Sequence, residues 1–302
     1  MDFTLKKYYQ LLKVLQRYDY SFSCFKDFLE SDIKKTIILR HDVDLLPKNS
    51  LHFAKIQATM GIQGSYYFRA VPESWDENII KEIAHLGHEV GYHYENMDTC
   101  NGDVAKAWDD FRFHLDNLRK LVPVSTICMH GSPRSKFDNK EIWKKYDYKS
   151  LGIIGEPYYD VNFDEVFYLT DTGRRWDGWK TSVRDKVPQQ EEWIQQGLVF
   201  HSTQDIIDAV TSGRTGSLSA DKASGSDSNR NEIPKNQTSN KFNASQDVSS
   251  LQPPASNFPN QIMFTMHPQR WNDVGLLWVK ELVFQGIKNE IKKVIISRNK
   301  KN

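Results

Sequence analysis

The sequence predicts an α/β fold with a mostly parallel sheet, open or closed as a barrel. Short apolar runs of strand length alternate with amphipathic stretches of helix length along most of the 302 residues. Such alternation is typical of strand–helix–strand units, whose strands pair in parallel. No internal repeat is visible. A chain of this length has room for one large domain or two ordinary ones.

The predicted elements follow one another as far as residue 173, and the pattern resumes after residue 260. An N-terminal helix is indicated by one apolar face formed by Tyr8, Leu11, Leu12, Leu15 and Tyr18. The sequence then predicts, in order, strand 36–39, helix 50–60, strand "GSYYFRA", helix "DENIIKEIAHLG", strand "HEVGYHYE", helix 103–121, strand "VSTICMHG", helix 139–146, strands "LGIIGEPYYD" and "VFYLTDTG", strand "QIMFTMHPQRW" and helix 276–292.

One segment differs in composition from the rest of the chain. Residues 211–260 are rich in Ser, Asn, Gly and Pro and show no hydrophobic period. Such a segment buries too little apolar surface to offset the entropy lost on ordering, so it is predicted to be a disordered insert. Residues 1–210 and 261–302 would then form one domain around it.

Composition excludes some classes of protein. Lys and Arg number 40 and Asp and Glu 39, a formal charge of +1, which does not favour nucleic acid or an acidic membrane as partner. Three widely spaced cysteines, Cys24, Cys100 and Cys128, are expected to be free thiols in a reducing compartment. No apolar stretch approaches a membrane span or a signal-peptide core, so we expect a cytoplasmic protein.

The stretch "RHDVD" directly follows the first predicted strand. Asp42 and Asp44, two residues apart in extended chain, project to the same side and repel each other. A proton or a metal ion would relieve this repulsion. Capping of the next helix is the alternative role for the pair, but Pro47 and Ser50 are better placed for it.

Four other predicted strands also end in chemically active side chains. These are His93 and Glu95, then His130, then Asp171 with Arg174 and Arg175, and finally His267, whose backbone is restricted by the following proline. The carboxyl ends of parallel strands share one face of an α/β fold, and that face carries the functional site. The sequence therefore predicts one site built from five strand ends.

Three of these motifs resemble those of a known family. "RHDVD", "GHEVGYH" and "FTMHPQRW" are similar to the first, second and fifth motifs of the NodB-type polysaccharide deacetylases, particularly to an uncharacterised bacterial branch with HDVD and HYE signatures. The resemblance covers about residues 36–271 apart from the insert. It implies a distorted (β/α) barrel of about seven strands, a divalent metal ion, usually zinc, and hydrolysis of an N- or O-acetyl group on a sugar.

The resemblance also implies roles for single residues. Asp42 matches the catalytic base, Asp44 and His93 match metal ligands, and His267 matches the general acid. On this basis Arg174 or Arg175 is expected to hold Asp42 ionised.

Other positions are assigned to orientation and substrate binding. Asp171 is the expected partner of His267, and the backbone N–H groups near Ser132 would share the charge of an oxyanion. Trp176 and the strand that contains Tyr67 are expected to offer stacking surface for a sugar ring. Arg175 and Ser132 are also expected to bind the substrate.

The chain departs from the family pattern at the third metal ligand. The family has a histidine four residues after His93, where this chain has Met97, a poor ligand for zinc. Glu95, Asp98 and His130 are the candidates to replace it. His130 is favoured because it comes from a neighbouring strand end, and Glu95 is the next choice.

Two other functions remain open on the sequence. A haloacid-dehalogenase-type phosphatase would use Asp42 as a covalent nucleophile with a magnesium ion, but it leaves the histidines unused. A deacetylase-like barrel with an incomplete metal site would instead bind a glycan without hydrolysing it.

Overall fold

The computed structural model of the chain describes residues 1–131, 135–177, 187–212, 258–273, 275, 278–283 and 285–286. Its strands are β1 (Ser21–Ser23), β2 (Thr36–Val43), β3 (Ser65–Phe68), β4 (Glu89–Tyr94), β5 (Ile127–Met129), β6 (Val166–Thr170) and β7 (Gln261–Met266). Its α-helices are α1 (Leu5–Arg17), α2 (Phe25–Leu29), α3 (Pro47–Thr59), α4 (Glu77–His85), α5 (Asn96–Thr99), α6 (Val104–Arg119), α7 (Pro157–Asp160), α8 (Gln190–Gln195) and α9 (Thr203–Ser212). Within the described ranges, three 3₁₀ segments span Asn139–Lys144, Tyr148–Leu151 and Pro268–Arg270.

The described strands form one parallel sheet that curls into a half-barrel. Their order is β5-β4-β3-β2-β7-β6, and β1 pairs with the N-terminal half of β2. The predicted α/β fold with about seven parallel strands is thereby confirmed. Because all strands run the same way, their carboxyl ends lie at one edge of the sheet, where active sites of such folds form.

Burial of apolar side chains in the core accounts for the main strand and the N-terminal helix. All eight residues of β2 are buried, as expected for a central strand that is covered on both faces. The apolar face of α1 is also confirmed, since Tyr8, Leu11, Leu12 and Leu15 are all buried. Thr4 caps this helix by accepting a hydrogen bond from the backbone N–H of Lys7.

One predicted strand is wrong. Leu151 is the last residue of a 3₁₀ turn, residues 152–156 are irregular apart from one isolated bridge between Thr126 and Gly155, and residues 157–160 form α7. Gly152 ends the turn in the left-handed region at φ 72°, and Pro157 begins α7. Proline lacks the N–H that a ladder needs, so the stretch does not extend the sheet; Ile153 packs in the core, whereas Ile154 and Tyr159 are exposed.

Other differences concern short elements. The predicted helix at 139–146 is a 3₁₀ segment, and β1, α2, α5, α8 and α9 were not predicted. The expected insert at 211–260 lies largely outside the described residues, although α9 continues through Ser212 and residues 258–260 are described. Most of the expected final helix, 276–292, also lies outside them, while residues 278–283 are helical.

Two expectations from composition have structural counterparts. None of the three cysteines, all of which lie within the described residues, forms a disulfide bond. Within the described ranges, no helix is both long enough and apolar enough to cross a membrane.

A buried carboxyl group lies at the edge of the sheet beside β5. Glu156 has no exposed surface, and its carboxyl oxygens accept hydrogen bonds from the backbone N–H groups of Met129 and Tyr158. Burial raises the pKa of Glu156 from 4.5 to about 7. Between these values the folded chain retains a proton that the unfolded chain has released. The stabilisation by neutral Glu156 is therefore complete below the pKa of the unfolded chain. It is lost as the pH rises through the higher pKa of the folded chain.

We expect Glu156→Gln to reduce the pH dependence of stability. From pH 5 to pH 8, ionisation of Glu156 should lower the free energy of unfolding of the wild type. The decrease should exceed that of the variant by on the order of 1–3 kcal/mol. Urea unfolding at both pH values measures this difference, with the exposed Glu165→Gln as the matched control. Equal falls in Glu156→Gln and wild type would show that Glu156 does not titrate in this range.

Candidate active site

The candidate site lies at the carboxyl edge of the sheet. β2 contains Asp42 and leads to Asp44, and β4 contains His93. His130 directly follows β5, and His267 directly follows β7. The structure thus brings together side chains from four strand ends that are far apart in sequence.

Three of these side chains converge as a potential set of metal ligands. The Oδ1 atom of Asp44 lies 3.6 Å from Nε2 of His93 and 3.6 Å from Nε2 of His130. One ligand atom from each residue lies within 4.8 Å of the other two. Ligand atoms around a tetrahedral zinc ion are about 3.3–3.6 Å apart, so this spacing suits such an ion.

The Asp44 carboxylate supplies an independent test of this fit. Its Oδ1 atom is buried and accepts no hydrogen bond from the described residues, whereas Oδ2 accepts one from Nε2 of Gln269 at 3.1 Å. Burial opposes ionisation, but His93, His130 and His267 outweigh it and hold the pKa of Asp44 well below its usual value. A buried, ionised oxygen without a donor is costly, and a cation would satisfy it.

Both imidazoles are oriented with Nε2 toward Asp44. Nδ1 of His93 donates to the carbonyl oxygen of Cys128 at 2.9 Å. Nδ1 of His130 lies 2.9 Å from Oε2 of Glu95, an ion-pair contact rather than a well-aligned hydrogen bond. Partners of this kind fix the tautomer and direction of metal-binding histidines. Two imidazoles and one carboxylate suit zinc and leave a coordination position open for chemistry.

A second set of donors lies deeper in the half-barrel. Asp42, His93 and Cys128 also place one potential ligand atom each within 4.8 Å of the others. Nε and Nη2 of Arg40 donate to the two oxygens of Asp42 at 2.8 Å and 2.7 Å. Because this guanidinium already neutralises Asp42, a cation is better accommodated by the Asp44 set.

The Arg40–Asp42 pair is itself buried. The two residues are 1% and 3% exposed, and the guanidinium also lies over the ring of Tyr158. Burial opposes ionisation of Asp42, but Arg40 and the nearby His93 outweigh it and lower its pKa. Oδ2 of Asp42 lies 3.7 Å from Nε2 of His93. An ionised carboxylate is therefore held beside the candidate metal ligands.

His267 lies in a second charged network. Its Nδ1 donates to Oδ1 of Asp171 at 2.6 Å, and its backbone N–H donates to Oδ2. Asp171 also accepts from Arg270 and from Nε1 of Trp271. Burial opposes its ionisation, but His267 and Arg270 outweigh it and lower the pKa of Asp171. Nε2 of His267 faces the site, 3.9 Å from Oδ2 of Asp44.

The candidates for the third ligand occupy different places. His130 belongs to the converging set, whereas both oxygens of Glu95 are engaged by Arg69 and His130. Glu95 is thus a partner of the candidate ligand. Asp98 accepts a hydrogen bond from Asn139, and Met97 is buried in the core.

The two arginines proposed to hold Asp42 have other partners. The guanidinium of Arg174 lies over the rings of Phe3 and Trp278, and that of Arg175 forms a bidentate pair with Asp177. The bidentate partner of Asp42 is Arg40 instead, because residues two apart in a strand project to the same side.

The proposed stacking residues are in the core. Trp176 is 2% exposed, packs against Phe264 and donates from Nε1 to Thr203. Tyr67 is fully buried, and its ring fills the space beside Gly91, where a Cβ would lie 2.4 Å from a ring carbon. Neither ring can stack on a sugar in this structure.

Ser132 lies outside the described residues, so the expected oxyanion contact remains a prediction.

The sequence also indicates site residues beyond those predicted. The rule that paired Asp42 with Asp44 applies equally to Arg40, two residues before Asp42. Gln269 and Arg270 lie within "HPQRW", the motif that identified His267. Arg69 follows β3 at the same edge of the sheet.

Comparison with known proteins gives one distant structural likeness. No family model and no curated protein sequence matches the chain. Among solved structures, Bacillus subtilis PdaA, a family 4 carbohydrate esterase, is similar over 92% of this chain and 84% of that chain, with 13% identity and a TM-score of 0.36. A likeness at this level supports no conclusion about activity.

Proposed function

We propose that the protein is a metal-dependent hydrolase that removes an acetyl group from an acetylated carbohydrate. The observation that carries this proposal is the buried Oδ1 of Asp44, which lacks a donor and faces the Nε2 atoms of two oriented imidazoles. A carboxylate held by Arg40 and an imidazole held by Asp171 lie beside it. The sequence motifs, and not the distant structural likeness, direct the proposal to acetylated sugars.

Asp44, His93 and His130 would hold the metal, for which zinc is the best match to the ligand types. When bound, a zinc ion supplies a Lewis acid that acidifies water and polarises an acyl carbonyl.

The chain's own residues move the protons. Asp42 accepts a proton as water attacks the carbonyl carbon, and Arg40 fixes the orientation of its carboxylate. Nε2 of His267 donates a proton to the leaving nitrogen or oxygen as its bond to that carbon breaks. Asp171 holds Nδ1 of His267 protonated and leaves Nε2 to face the substrate. The products are acetate and a free amine or hydroxyl group.

Two geometric features disfavour the rival functions. The phosphatase would need a magnesium ion, and the imidazoles of His93 and His130 do not suit magnesium. The glycan-binding hypothesis depended on the missing ligand at Met97, and His130 offers a replacement.

We expect wild-type protein to retain close to one zinc ion per chain after dialysis and His130→Ala to lose it. His114→Ala, which removes a half-buried imidazole on α6, is the matched control, and Met97→Leu tests the family position without opening a cavity. Elemental analysis measures the zinc. Acetate release from N-acetylated and O-acetylated sugars, with phosphate release from an aryl phosphate as the comparison, measures the activity. Absence of metal in the wild type even after incubation with zinc would overturn the proposal.

A further inference from the structure

The segment that should carry the third ligand contacts the candidate that replaces it. Met97 is 2% exposed and packs in the hydrophobic core. Its neighbours Glu95 and Asp98 are instead connected to His130, one through the imidazole and the other through the backbone.

The first connection passes through a guanidinium. Nε and Nη2 of Arg69 donate to Glu95 at 2.8–3.0 Å, and Glu95 contacts Nδ1 of His130. Nη1 of Arg69 donates to the backbone carbonyl of Asp44 at 3.1 Å. One side chain therefore links two of the three candidate ligands. The side chains of Arg69 and Glu95 are only 20% and 11% exposed, so their ion pair is stronger than one at the surface.

The second connection passes through a buried amide. Asn139, 2% exposed, donates from Nδ2 to the carbonyl oxygen of His130 at 2.9 Å and to Asp98 at 3.1 Å. Its Oδ1 accepts from the backbone N–H of Asp98 at 3.1 Å. The amide thereby ties the residue after β5 to α5, on the segment that follows β4.

We propose that Arg69, Glu95 and Asn139 are positioning residues that make His130 the third metal ligand. In this chain the segment 95–98 has become a support for a ligand that comes from the adjacent strand. Glu95 sets the direction of the imidazole, Arg69 holds Glu95 against Asp44, and Asn139 fixes the backbone of His130. This inference rests on the proposed metal site, but it concerns residues that do not touch the metal.

The test is a double-mutant cycle on zinc affinity in the full chain. Glu95→Gln keeps the shape of the side chain and removes its charge, so we expect the zinc dissociation constant to rise about 10–100-fold. In the His130→Ala background the same substitution should have no further effect, because its target is gone. Competition with a chelating dye measures both constants, and the visible spectrum of the cobalt-substituted protein reports the change in ligands.

Companion variants separate the contributions. Arg69→Met and Asn139→Ala should also weaken zinc binding, and Arg69→Lys should restore only part of it, since lysine lacks the two-pronged contact. Lys55→Met, which breaks the exposed ion pair with Glu82, is the control and should leave the affinity unchanged.

The possible failures are distinct. If the wild type binds no zinc, the proposed function fails. If it binds zinc and Glu95→Gln binds equally well, or loses the same factor with and without His130, the positioning network is overturned while the proposed function stands.

Discussion

In the Asp42→Asn variant, we expect acetate release to fall by about 10²–10⁴-fold while bound zinc stays at the wild-type level. Asparagine has the size of aspartate but cannot accept the proton that attacking water must lose. Asp42 already has both oxygens engaged by Arg40, and Asp44, His93 and His130 form a separate ligand set. Removal of Asp42 therefore affects proton transfer without emptying the metal site.

The measurement combines acetate release, zinc content and a thermal melt on the same preparation. The melting temperature should decrease, because Arg40 remains buried with a neutral partner. Loss of zinc together with activity in a chain that still melts cooperatively would contradict the division of roles. It would show that Asp42 is a ligand, as in the deeper set with His93 and Cys128.

The fold was predictable because the spacing of apolar residues along the sequence indicates which residues are buried. The first half of β2, residues 36–39, is a short apolar run that the sequence shows as a strand, and the buried face of α1 is visible as an apolar helical period. The strand prediction for residues 151–160 was wrong because apolar residues in turns can also be buried in the core. The residue that argued against a strand there was Pro157. β1, with three residues, is too short to show a period.

The location of the site residues was easier to predict than their hydrogen-bond and ion-pair partners. The alternation of side chains along a strand places Asp42 and Asp44 on one side, and parallel pairing brings His93 and His130 to the same edge. The partner of Asp42 is Arg40, two residues earlier in the same strand, and the same alternation indicates it. The partners of Arg174 and Arg175 depend instead on the tertiary packing of the loop after β6. The burial of Trp176 and Tyr67 likewise depends on how the sheet curls, since aromatic residues serve equally well in a core and at a sugar-binding surface.

Arg40→Met should be strongly destabilising, by about 3–5 kcal/mol, because it leaves the buried carboxylate of Asp42 without its counter-ion. Methionine matches the length of the arginine stem, so packing changes little and the lost charge dominates. Urea unfolding at pH 7 measures the loss. Lowering the pH toward 4 should reduce the difference from wild type, because a lone buried carboxylate takes up a proton more readily than the paired one does.

The double variant Arg40→Met, Asp42→Asn separates charge from packing. With both charges removed, no uncompensated ion is left in the half-barrel, so we expect most of the lost stability to return, as it does when buried ion pairs are replaced together. The double variant should still bind zinc through Asp44, His93 and His130, yet it should release no acetate. A double variant as unstable as Arg40→Met alone would show that the guanidinium stabilises the fold through its contact with Tyr158 rather than through Asp42. Recovery of stability without recovery of activity would instead show that the Arg40–Asp42 ion pair serves catalysis and is not required for folding.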